Sequence, residues 1–218
     1  MIKIANGIPA REALPVFLYG LSQESLYDLS WTDPSLGVQD LAWWPERNQE
    51  TPYDPETQQL GSEILTMGDR VVIVTHEIIG LTKEQLNANL AKRKESLTGE
   101  IDRIRYSKIY QASIPYLFPG DTDPDGVQMR DDIDRQNIQN HVTDAMIRDP
   151  GDTMYFMPTS NNLKTMTAQQ TVDMGQFIKV RGDRIVAYAW ALKAQVNSAE
   201  IDTFAKLESI DINSGWPE

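Results

Sequence analysis

The sequence predicts an α+β protein. It reads as a small aromatic-rich N-terminal module with a β-hairpin, a long connecting helix, and a C-terminal hairpin-helix-hairpin-helix module. Three observations carry that reading. A β-branched run, Val71-Val72-Ile73-Val74, follows the turn-forming Met67-Gly68-Asp69. Long polar stretches opening at Thr82, Asp131 and Thr167 carry apolar residues at helical spacing. Short apolar segments bounded by Asp, Pro and Gly precede the last two of these helices. The implied organisation is 1–80, 81–113 and 114–218, the last with an irregular tail.

Within residues 1–58, Pro9, Pro15, Pro34, Pro45, Pro52 and Pro55 leave room only for short helices. The best of these is Ser22 to Leu29, with Ser22 as N-cap. Trp31, Trp43 and Trp44 crowd the same segment. Two readings stay open for them: a small core, or an exposed docking patch, since aromatic side chains are enriched at interfaces. Leu60–Thr66 and Arg70–Ile79 are then expected to form a hairpin.

Thr82 with Gln85 makes a capping box, and Leu90, Leu97 and Ile104 repeat every seven positions to about Ser113. Such a narrow seam suits packing on the same chain or a short coiled coil between chains. If the seam joins two chains, Leu97→Asp separates them and leaves both modules folded. Next come strands at Ile114–Phe118 and Val127–Arg130, and a helix capped by Asp131 that ends near Arg148. A hairpin at Thr153–Met157 and Leu163–Met166 follows. The last helix opens on the Thr167/Gln170 box and runs to about Asn197.

Composition narrows the function classes. Lys and Arg number 20 against 32 Asp and Glu, a net charge of −12, the opposite of what displaces counterions from nucleic acid. No nucleic-acid partner is expected. No apolar run approaches a span, so no membrane insertion is expected either. Met1 to Gly7 lacks the apolar core of a secretory leader. With no cysteine there is neither thiolate chemistry nor a Cys-based zinc site.

The strongest local motif is Asp121-Thr122-Asp123-Pro124-Asp125-Gly126, with Asp132 at the twelfth position. Asp121, Asp123, Asp125 and Asp132 have the spacing of an EF-hand calcium loop, but Ile114 to Pro119 cannot be its entering helix. A solvated acidic hairpin tip is the plainer reading, and no cofactor is expected. Arg181-Gly182-Asp183 falls inside a helix, where it cannot present an adhesive loop. His141 is expected to pair with Asp144 on the helix surface, and His76 to point away from Glu77. No nucleophile motif or phosphate loop is present.

Family patterns add to this. Val127-Gln128-Met129-Arg130-Asp131-Asp132 leads into Asp134-Arg135-Gln136-Asn137-Ile138. The series Tyr155-Phe156-Met157-Pro158, Asn161-Asn162 and Met166-Thr167-Ala168-Gln169-Gln170 follows, and Ile210-Asp211 with Gly215-Trp216-Pro217 closes it. On these residues, Tyr110 to Pro217 resembles a domain of unknown function common in tailed-phage tail proteins. The chain departs from it at Tyr155 and Phe156, where that domain usually has tryptophan. Trp43-Trp44-Pro45, Tyr53 to Leu60, the valine-rich strand and Leu81 to Leu86 are similar to small tail-fibre-associated proteins. The resemblance implies a non-enzymatic virion tail protein that docks to a tail fibre or baseplate. Its alternative is a tail-fibre assembly chaperone, working in the host cytoplasm and absent from the finished virion. The expected anchors are Trp31, Trp43 and Trp44, with Leu90, Leu97 and Ile104 as a homo-oligomer seam.

Overall fold

The computed structural model describes residues 1–218, which divide into two compact units, Met1–Ala88 and Asn89–Glu218. The fold is α+β, as expected.

The first unit opens with β1 (Ile2–Ala5), which pairs antiparallel with both β2 (Ile8–Ala10) and β3 (Leu41–Trp44). Between β2 and β3 lie two 3-10 turns and the short helix α1 (Gln23–Leu26), capped by the Ser22 hydroxyl. Pro45 ends β3, and the chain continues as β4 (Glu46–Asn48) in a second sheet. There β4 runs parallel to β6 (Val72–Gly80), which is antiparallel to β5 (Gln58–Met67). The Arg11 guanidinium bridges Glu46 of β4 and Glu63 of β5. Leu18, Leu26, Leu29, Val38 and Trp43 form one small core; Ile2, Ile4, Ala42 and Val72 form another between the sheets.

Four short strands thus occupy a segment expected to hold only short helices. At three or four residues each, they are below the length at which alternation stands out from chance. The hairpin itself is where the sequence puts it. Its turn is tightened by Gly68 N–H donating to the Val71 carbonyl, with Arg70 at φ +53°.

The second unit is built on α2 (Lys83–Ile109), from Asn89 onward, and α4 (Ala168–Val196). Leu90, Leu97 and Ile101 pack with Ile185, Ala189, Leu192 and Val196, and Ile104 lies partly buried beside them. Lys193 donates to Asp102 at 2.6 Å along this contact. The connecting helix is therefore no free spacer: the unit boundary falls inside it, because its apolar seam is covered by α4. A tail containing α5 (Phe204–Glu208) closes the core with Leu207, Ile210, Ile212 and Trp216. Trp216 Nε1 donates to the Ile212 carbonyl, and the Tyr188 hydroxyl to that of Ser214.

At the other end of α4, β7 (Gln111–Tyr116) pairs with β8 (Asp125–Met129), and β9 (Thr153–Phe156) with β10 (Lys164–Thr167). Helix α3 (Asp132–Met146) joins them, its first turn capped by the Asp131 carboxylate. Ile114, Phe118, Val127, Met129, Ile138, Met174 and Ile178 form the shared core. Helix α2 stops at Ile109, earlier than its pattern suggests, because residues 111–116 are drawn into the ladder with β8. No helix is long and apolar enough to cross a membrane.

Candidate docking groove

Helix α3 carries Gln136, Gln139, Asn140 and Thr143, which the i, i+3, i+4, i+7 spacing gathers on one face. Helix α4 faces it with Val172, Gly175, Gln176, Lys179, Gly182 and Val186. Between them runs a groove of about 960 Å³, closed at one end by Ile109 and floored by Met129, Ile138, Val142 and Ile178. The helices approach closely because Gly175 has no side chain: a Cβ there would stand 2.3 Å from Val142 Cγ2. At Gly182 a Cβ would meet nothing within 4 Å, so that glycine leaves the groove open.

The groove's ionic groups are engaged with near neighbours on their own helices. Arg135 pairs with Asp132 at 3.0 Å, and Lys179 pairs with Asp183. What remains is an aliphatic floor with an amide rim, the composition of a site that holds a peptide or helix by shape. No histidine lines it, and its one carboxylate, Asp183, is the one paired with Lys179.

The amide spacing on residues 136–143 was a readable signal for this face. The groove does not follow from it, because the partner face comes from α4, which opens only at Ala168.

The expected anchors scatter. Trp43 is 1% exposed within the first unit's core, so it cannot contact a partner. Trp44 is half-buried, its Nε1 donating to the Tyr27 carbonyl at 3.2 Å, whereas Trp31 is 59% exposed with its Nε1 on the Ser25 carbonyl. The core reading thus holds for Trp43, and the exposed reading for Trp31. Leu90 and Leu97 are buried against α4 of the same chain, and Ile104 packs there too. That seam is filled within one chain and has no free face to offer a second.

The acidic loop is not assembled as a metal site. Lys164 from β10 reaches Asp121 at 2.7 Å and Asp125 at 3.8 Å, and Asp125 also accepts from the Ser160 hydroxyl. The Ser160 bond and the nearby ammonium hold the Asp125 carboxyl below its usual range, while the Asp121 bond raises Lys164. Asp123 contacts only its neighbour Thr122, and Asp132 turns to Tyr110 and Arg135. No three acidic or histidine side chains converge as metal ligands.

Two further side chains differ from expectation. Asp144 pairs with Arg148, not His141. His141 faces inward, its ring 5.9 Å from Phe156, with Nε2 buried and unpartnered, and burial lowers its pKa. The Arg181-Gly182-Asp183 string lies within α4, where Arg181 is 6% exposed and donates to Gln111 at 2.8 Å.

No curated protein and no solved structure matches the chain significantly. Residues 92–212 match the family described as Domain of unknown function (DUF4376). The match begins inside α2, so it takes in the α2/α4 seam from Leu97 onward, the groove and most of the tail. It spans more than half of the 218 residues, and the chain belongs to the DUF4376 family.

Proposed function

We propose that the protein is a non-enzymatic adaptor of a bacteriophage tail, which docks to a fibre or baseplate protein through the groove between α3 and α4. The observation that carries the docking step is the chemistry of the groove wall. Its aliphatic floor and amide rim suit a protein segment, and its charges are already paired. The assignment to a tail rests on the sequence resemblance of residues 110–217 and 43–86. Exposed aromatics of the first unit, Phe17, Tyr19 and Trp31, offer a second contact area for the same role.

The test uses Gly182→Leu, which puts a side chain into open groove space while replacing a helix-weakening residue. Supplied in trans to a phage lacking the gene, the wild-type chain is expected in purified particles. The folded Gly182→Leu chain is expected to remain in the lysate. Equal incorporation of both chains would reject the groove as the docking site.

A further inference from the structure

The β5–β6 hairpin is only half supported by its own unit. Near its turn, Val72 and Val74 are buried at 0% and 1% exposure. Toward its open end Leu60, Ile78 and Ile79 are exposed, as is Ile64 at mid-strand opposite Thr75. An isolated two-stranded ribbon is marginal in water and needs a third strand or a covered face.

Strand β4 supplies that third strand only opposite Val72 to Val74. Gln49 N–H reaches the Val74 carbonyl and the Thr51 hydroxyl accepts from His76 N–H, which extends the cover to His76. The alternation of the backbone then fixes what lies beyond. Leu81 N–H donates to Thr57, so odd-numbered residues address β5, and the N–H and C=O groups of Ile78 and Gly80 point outward. From Glu77 to Gly80 this edge has no partner strand. Exposed edges are ordinarily guarded by lysine, proline or a bulge. Residues 71–80 contain neither lysine nor proline, and the register shift between Leu60 and Glu63 lies on β5, away from the open edge.

We propose that this edge is a self-association surface, on which β6 of one chain pairs antiparallel with β6 of a second copy about a two-fold axis at Ile79. In that register Ile78 faces Gly80 of the second copy and Gly80 faces its Ile78, so two outward N–H and two outward C=O groups per chain all find partners. Ile79 meets its own twin at a non-hydrogen-bonded position, where side chains approach most closely. Glu77, the one charge on the open edge, faces Leu81 of the second copy, two residues from the cationic Lys83. Like charges therefore do not meet, and an acid and a base are brought near each other. Gly61 completes the arrangement: a Cβ there would lie 2.3 Å from Ile79 Cδ1, so its absence lets Ile79 lie flat across β5. Ile64, Ile73 and Ile79 share that face with Thr75 and Glu77, and Ile79 is its apolar residue at the axis. This self-complementarity favours a second copy over an unrelated strand. The inference is independent of the tail assignment.

Sedimentation equilibrium on the full chain tests it. The wild type is expected to show a monomer–dimer equilibrium. Ile79→Lys and Ile79→Glu, each placing like charges at the axis, are each expected to weaken it more than about tenfold. An equimolar mixture of the two is expected to recover dimers. Ile78→Pro removes only an outward N–H and is expected to give a folded monomer by circular dichroism. A wild type that stays monomeric to about 1 mM, which corresponds to a free energy near −4 kcal/mol, would overturn the proposal. So would folded variants that dimerise as well as the wild type, or a Lys/Glu mixture that fails to pair.

Discussion

Gly175 and Gly182 lie seven residues apart on α4 with opposite requirements. Gly175→Ala pushes a methyl into Val142 and is expected to cost about 1–3 kcal/mol. Gly182→Ala meets open space and is expected to stabilise by up to about 1 kcal/mol. Opposite shifts in urea midpoint would check both. His141 gives a pH signature. Burial lowers its folded-state pKa, so below the unfolded value of about 6.5 the unfolded chain binds more protons. Its contribution is complete above that pH and declines as the pH falls toward the folded-state pKa. His141→Gln is expected to flatten the fall in stability as the pH drops below about 6.5; a parallel profile would contradict this. None of these contacts was readable from spacing. Asp144 sits three residues from His141 and also four from Arg148; it pairs with Arg148, while the imidazole lies 5.9 Å from the Phe156 ring, a residue distant in sequence.

Among the elements, the three long helices announced themselves through caps and periodicity. The Thr167/Gln170 box forms as read, with Thr167 Oγ1 accepting from Gln170 N–H and Gln170 Oε1 accepting from Thr167 N–H. Thr167→Ala is expected to cost about 0.5–2 kcal/mol in thermal unfolding. Helix α2 shows the limit of such reading. A seven-residue apolar seam is the same signal whether its cover is α4 or another chain, and the structure fills it with α4. Leu97→Ala is therefore expected to destabilise the second unit by about 2–5 kcal/mol at any protein concentration. A concentration-dependent loss would instead favour an intermolecular seam. Of the four short strands of the first unit, β3 and β4 depend on partners far along the chain, as with Trp44 and Ile2, whereas β1 and β2 form a local hairpin whose Asn6-Gly7 turn is a signal legible in the sequence.

At the scale of the molecule, each unit has its own core, and the DUF4376 match lies within the second. A fragment of residues 82–218 is accordingly expected to unfold cooperatively on its own. A fragment lacking a sharp transition would show that the second unit depends on the first. The α+β class was legible because hairpins and helices alternate with clear turn chemistry. The groove was not, since it arises from the close approach of α3 and α4 that Gly175 permits. An adaptor of this kind must be a stable part of a tail. Quantitative mass spectrometry of gradient-banded particles, against infected-cell lysate, measures that most directly. The adaptor reading predicts a fixed ratio to known tail proteins in the particles. Abundance in lysate with absence from particles would contradict it.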